Sequence, residues 1–168
     1  MDKRTKKTLS VDNAMQRMGK YCSYTERSIA EVKKKLKELN VAPEDTETVL
    51  QRLAKMGFLN EDRFATAFAG GKFRIKKWGK KRIEIEMKKK GLSSELIQKG
   101  LKQLPEADYL ETLEHLLKKK QEQIMRSGKE ENDYDTKQRN RQKLIRFALQ
   151  KGYEMDLVMT RVRNLFPF

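Results

Sequence analysis

Apolar residues in this chain recur at helical spacing. Ile29, Val32, Leu36 and Leu39 fall three and four apart, and Leu110, Leu113, Leu117 and Ile124 do much the same. Such spacing places them on one face of a helix of period 3.6. The residues between them are mostly Lys, Glu, Gln, Leu and Met, all good helix formers. Prolines occur only at 43, 105 and 167. One segment, residues 82–88, alternates apolar and polar as a strand would. Read as a helix, it puts Ile83 and Met87 on one face and pairs Glu84 with Lys88 and Glu86 with Lys90 in the favourable order. Three lysines then precede Gly91, which suits a helix C-terminus. The pattern predicts a helix there and an all-α chain.

The helical pattern repeats. Ile83, Met87, Gly91 and Leu92 superpose on Leu144, Ala148, Gly152 and Tyr153 at an offset of 61. The same offset carries Ile97 to Val158, Leu101 to Val162 and Leu104 to Leu165. Val32, Leu36, Asn40 and Val41 match the first set at an offset of 51, and Val49, Leu53 and Met56 match the second at 48. One helix–turn–helix unit is thus written three times, at about 26–57, 79–105 and 140–166. Its turn falls on Asn40, Gly91 or Gly152, residue types that tolerate the left-handed conformation. A further helix is expected before each pair, near 12–23, 60–76 and 107–127. The expected architecture is three tandem three-helix repeats, 11–59, 60–105 and 106–168, elongated and curved as repeat arrays are. Residues 1–10 read as a basic disordered arm and residues 127–136 as an acidic flexible loop inside the third unit.

Composition sharpens this picture. The 168 residues are 37% hydrophobic and 38% charged, against about 25% charged in an ordinary globular chain. That leaves a thin core. The net charge of +15 speaks to partners, and the partners it suits are polyanions. One cysteine, Cys22, excludes an internal disulfide, and one histidine, His115, excludes a site needing two imidazoles. No apolar run approaches the ~20 residues of a membrane span. Met1-Asp2-Lys3-Arg4 has no apolar stretch behind it, so no signal peptide is expected and cytoplasm is the default.

The charge is segregated. Residues 72–90 hold ten basic and two acidic side chains, over half the excess of the whole chain. Residues 106–135 carry −4 and residues 136–168 carry +6. In the central stretch Phe73, Ile75 and Trp78 interleave the cations, and the two aromatics read as core packing. The candidate binding surface is Lys72, Arg74, Lys76, Lys77, Lys80, Lys81, Arg82, Lys88 and Lys89. Self-repulsion in such a run is better explained by a polyanionic partner than by solubility.

Catalytic constellations do not assemble. Glu84 and Glu86 diverge on a helix, and with Asp62 they do not converge on a metal as nuclease chemistry needs. Gly70-Gly71-Lys72 lacks the spacing and the Ser/Thr of a phosphate-binding loop. No catalytic residue, cofactor site or metal site is expected. A DNA-binding protein, sequence-independent or of helix-turn-helix type and acting without RecA, remains an alternative, whereas the basic segments lack the continuous apolar faces that a membrane interface requires.

Gly57-Phe58-Leu59, then Asp62-Arg63-Phe64-Ala65, Phe68, Gly79, Ile83, Gly91 and Ile97 form an ordered series that resembles the RecX family of bacterial RecA regulators. The resemblance extends over about residues 12–168. It implies an all-α protein of tandem three-helix repeats, not an enzyme, whose partner is the RecA filament on single-stranded DNA. It further implies inhibition of RecA ATPase, strand exchange and filament growth by occupancy of the filament groove. Apart from the resemblance, the expected partners include nucleic acid bound directly and weakly, no membrane partner is expected, and the chain is expected to be a monomer. One departure stands out: where the family often has a basic residue after the second aromatic, Ala69-Gly70-Gly71 follows Phe68. Asp62, Arg63 and Phe64 read as structural: a helix start, a tie between helices and a core side chain.

Overall fold

Ser10 begins the ordered helices. Its side chain accepts a hydrogen bond from the backbone N–H of Asn13 and so caps the first of nine helices found among the described residues. The structure is a computed structural model that describes residues 8–127 and 134–166. The helices are α1 (Val11–Tyr24), α2 (Ile29–Glu38), α3 (Pro43–Lys55), α4 (Glu61–Lys76), α5 (Lys80–Lys89), α6 (Ser94–Lys102), α7 (Glu106–Ser127), α8 (Tyr134–Lys151) and α9 (Met155–Leu165). No strand occurs among the described residues, and the alternating segment 82–88 is helical, inside α5. Most of the arm expected at residues 1–10 lies outside the described residues. Its end does not: the Leu9 N–H donates to the Asn40 carbonyl at 3.0 Å. Of the loop expected at 127–136, residues 128–133 lie outside the described residues, and Tyr134 already opens α8.

The three middle helices end alike. Asn40, Gly91 and Gly152 all have positive φ, at 60°, 81° and 94°. Beyond each, an N–H reaches back five residues: Val41 to Leu36, Leu92 to Met87 and Tyr153 to Ala148. This is the Schellman closure, which satisfies carbonyls that a helix end leaves unpaired. The repeat positions before and after it (Val32, Leu36 and Val41; Ile83, Met87 and Leu92; Leu144, Ala148 and Tyr153) are all buried. One equivalence breaks. Met56 was aligned with Leu104 and Leu165, yet it is 64% exposed. The reason is a further turn at Gly57, whose φ of 78° lets the Phe58 N–H close on the Leu53 carbonyl. Leu59, three residues on, enters the core in its place.

Two compact units result, and the division runs through helices. The first reaches Phe68 and includes Met87–Gly100; the second comprises Ala69–Glu86 and the chain from Leu101 onward. In the first, Ala14, Met18, Val32, Leu36, Val49 and Leu53 form the centre of the core. The N-cap of α2 is a capping box between Ser28 and Glu31, and Lys90 adds an ion pair to Glu31 at 2.9 Å. In the second unit three aromatic rings pack in series, each tilted by about 40° to the next. Phe73 lies 5.7 Å from Tyr109, and Tyr109 lies 5.0 Å from Tyr153.

Candidate interaction surface

The central cations sit on the last two turns of α4, the connection 77–79 and the first turn of α5, all within the second unit. That connection is held from several sides. Lys77 has a φ of 55°, uncommon for a residue with a side chain. Its carbonyl accepts a hydrogen bond from the Tyr153 hydroxyl at 3.3 Å. The Gly79 N–H donates to the Lys151 carbonyl at 2.8 Å, and the Lys81 N–H to the Gly152 carbonyl at 3.0 Å. Between them, the Lys80 N–H donates to the Tyr109 hydroxyl at 2.8 Å, and that hydroxyl donates to Glu154 at 2.7 Å. Burial, and then the bond to Glu154, push the Tyr109 phenol far above its usual range. Burial, followed by the Glu154 charge, does the same to Tyr153. Both rings therefore stay neutral at any ordinary pH.

Gly79 is required by this junction. A Cβ there would lie 2.3 Å from the Gly152 backbone, and a Cβ on Gly152 would lie 2.3 Å from the Arg82 Cβ. The two backbones touch, and only glycine leaves the room.

Charge at the start of α5 runs against the helix dipole. Its first turn holds Lys80, Lys81 and Arg82 and no acidic residue. Each cation there costs about 0.3–1 kcal/mol. The freed N–H groups are already spent on Lys151, Tyr109 and Gly152, so an anion would meet side chains, not backbone. Two cations are pinned. Lys80 lies 4.5 Å over the Tyr109 ring and bonds Glu106 at 3.0 Å. Arg82 stacks 4.3 Å over Trp78 and donates to the Gln150 carbonyl at 3.2 Å. Lys72 also approaches Trp78, at 5.3 Å. Among the described residues, Lys76, Lys77 and Lys81 make no ion pair or side-chain hydrogen bond, and they are exposed with Arg74. Ile75 is 78% exposed and Ile85 53%, so this face mixes cations with apolar side chains. Lys88 and Lys89 are exposed as well, but they belong to the first unit. The sequence reading placed both aromatics in the core. Phe73 is buried; Trp78 is half-buried beneath its cations.

The motif residues lie mainly in the first unit. Phe64, Ala65, Leu59 and Ile97 are buried, and Phe68 packs 5.5 Å from Phe64. Asn60 caps α4 through the Arg63 N–H at 2.9 Å. The Arg63 guanidinium bonds Glu26 at 2.9 Å and the Gly57 carbonyl at 2.8 Å, while Asp62 pairs with Lys99. Phe58 is half-buried, and Gly91 lies 3.6 Å from the Ala30 Cβ by the position its own Cβ would take. Ile83 is buried. No three His, Cys, Asp or Glu side chains gather to hold a metal among the described residues. Cys22 is buried, and burial raises its thiol pKa. No described helix is long and apolar enough to cross a membrane.

Sequence reasoning missed the two tyrosines that fix this surface. One signal was present: Tyr153 occupies the repeat position held by Val41 and Leu92, a polar-tipped ring where aliphatic residues otherwise stand.

Residues 14–53 match the family model described as RecX, first three-helix domain, and residues 60–101 match RecX, second three-helix domain. "Regulatory protein RecX" of Enterococcus faecalis is 34% identical over 57% of this chain and 36% of its own length. The Bacillus licheniformis protein of that name is 29% identical over 86% of this chain and 52% of its own length. The chain spans 39% of the Lactobacillus johnsonii relative and 63% of the Clostridium perfringens one. Among solved structures, RecX from Lactobacillus salivarius superposes with a TM-score of 0.80 at 19% identity, covering 92% of this chain and 96% of that one.

Proposed function

We propose a function from one premise: this chain belongs to the RecX family. It acts as a regulator of RecA, binding the RecA filament on single-stranded DNA and restraining ATP hydrolysis, strand exchange and filament growth. It does so by occupying the filament groove, without chemistry of its own. Its three helix triplets, 11–59, 60–105 and 106–168, serve as successive contact modules. Weak contacts made by linked modules reinforce one another through effective concentration.

The docking face is the α4–α5 surface: Lys72, Arg74, Lys76, Lys77, Lys80, Lys81 and Arg82. The observation that supports it is the placement of three cations on the positive end of α5, with the backbone locked beneath them. Stability alone disfavours that arrangement. Exposed Ile75 and Ile85 give the face an apolar component that a protein partner can bury. The motif Asp62-Arg63-Phe64 supports the first unit by its ion pairs and packing and does not itself dock.

RecA-catalysed ATP hydrolysis on single-stranded DNA, titrated with the full chain, tests this. Suppression at or below one chain per RecA is expected. Unchanged hydrolysis at excess chain would remove the proposal.

A further inference from the structure

Helix α8 carries a second cationic surface, of different chemistry. Over Tyr134–Lys151 there are six basic residues and one acidic. Arg139, Gln142, Lys143, Arg146 and Gln150 are exposed, whereas Leu144 and Ala148 on the opposite side are buried. At 100° per residue these five fall on one face of the helix. The rise of about 1.5 Å per residue sets Arg139, Lys143 and Arg146 some 6 Å and 4.5 Å apart along the axis. The Lys143 and Arg146 side chains make no ion pair or hydrogen bond among the described residues, and that of Arg139 reaches only Thr136, at 2.9 Å. The stripe does not end with the helix. Arg82 bonds the Gln150 carbonyl at 3.2 Å, so the first turn of α5 continues the track within the same unit.

The repeat shows what distinguishes the two faces. At the offset of 61, Arg146 stands where α5 has exposed Ile85, and Lys143 stands where α5 has Arg82. The α4–α5 face mixes lysine with isoleucine. From Arg139 to Gln150 the α8 stripe holds only Arg, Lys and Gln, and exposed Asp135, one turn earlier on the same face, bounds it. An acidic protein surface would leave no apolar contact to bury on α8. A phosphodiester backbone asks for none: it offers closely spaced oxygens that guanidinium groups bind well.

We propose that the Arg139–Lys143–Arg146 stripe of α8, continued by Arg82, binds the phosphate backbone of single-stranded nucleic acid without reading its sequence. This deepens the proposed function by giving nucleic acid a surface on α8 that meets the α4–α5 face at Arg82, and its test does not pass through RecA. No aromatic side chain lies on the α8 part of the stripe to stack bases, and Trp78 is covered by Arg82, so affinity comes from charge and depends on salt.

Fluorescence anisotropy of a labelled oligothymidylate, titrated with the full chain over a series of salt concentrations, reads this directly. The triple variant R139Q/K143Q/R146Q removes three phosphate contacts. Its log K against log salt slope is expected to shrink by about 2, from roughly 0.7 per contact. Extrapolated from the slope, affinity at about 0.15 M salt falls roughly 50-fold. A control, K55Q/K118Q/K119Q, lowers the net charge equally with exposed lysines elsewhere and is expected to shift affinity less than threefold. R139K/R146K keeps the charge and is expected to keep the slope. Far-UV circular dichroism checks that every variant is folded. An unchanged slope in the folded triple variant overturns the proposal, as does an equal loss in the control. Competition by polyglutamate as strong as by unlabelled oligothymidylate would overturn the nucleic-acid assignment. If the slope falls as expected while RecA hydrolysis is unaffected by the chain, this surface stands and the RecA reading falls.

Discussion

The contact between Gly79 and Gly152 can be weighed by a set of glycine-to-alanine substitutions. Gly71 lies inside α4 with nothing within 4 Å of an added Cβ. Gly91 has φ of 81° but no clash, its nearest neighbour at an ordinary contact distance of 3.6 Å. Gly152 has φ of 94° and no room: the Arg82 Cβ would lie at 2.3 Å and the Arg82 backbone nitrogen at 2.6 Å. Gly71→Ala is therefore expected to stabilise by about 0.5–1 kcal/mol through helix propensity. Gly91→Ala pays left-handed strain alone, about 1–2 kcal/mol. Gly152→Ala adds a clash of about 1–3 kcal/mol. It also opens the two backbone bonds from Gly79 and Lys81, each worth about 1 kcal/mol. The sum is about 4–7 kcal/mol. Urea unfolding followed by fluorescence of Trp78, the single tryptophan, reads the second unit, which holds Gly71 and Gly152. Circular dichroism reads Gly91→Ala in the first. If Gly152→Ala costs no more than Gly91→Ala, the junction is not close-packed and the reasoning fails.

Tyr109→Phe keeps the stacked ring but strands the Lys80 N–H and the Glu154 carboxylate; a loss of about 1–3 kcal/mol in the same urea assay is expected. Burial pushes the Glu31 carboxyl up, but the Ser28 N–H and Lys90 outweigh it, so its pKa lies below the usual carboxylate range. A lowered native pKa gives stability that is present above the unfolded pKa and lost as pH falls through the native one. Unfolding midpoints should therefore drop as pH falls below about 4.5, and Glu31→Gln should flatten that drop while lowering stability at neutral pH. K76E/K77E/K81E, which spares the pinned Lys80 and Arg82, is expected to weaken RecA inhibition at least tenfold with helix content intact; unchanged inhibition would clear the α4–α5 face of a docking role.

Much of the fold was legible because it is local. Helices, caps and the Asn40, Gly91 and Gly152 turns depend on residues within five positions, and the repeat displayed them three times. Met56 shows where that logic stops. The offset that aligned it was set by Val49 and Leu53, before the Gly57 turn rerouted the chain and sent Leu59 inward. The surface was legible as charge and not as geometry. Lys77 meets Tyr153 across 76 positions and Lys80 meets Tyr109 across 29. No periodicity reports a pairing at such range. Trp78 was read as core because aromatic rings bury area; the cations of Lys72 and Arg82, close to it in sequence, instead cover it at the surface.

Co-sedimentation of the chain with RecA filaments assembled on single-stranded DNA tests the central claim most directly. The wild-type chain is expected to pellet with the filaments, saturating at a fixed ratio to RecA, and K76E/K77E/K81E to stay in the supernatant. A wild-type chain that remains in the supernatant, or that pellets with the bare DNA as fully as with the filament, would contradict it.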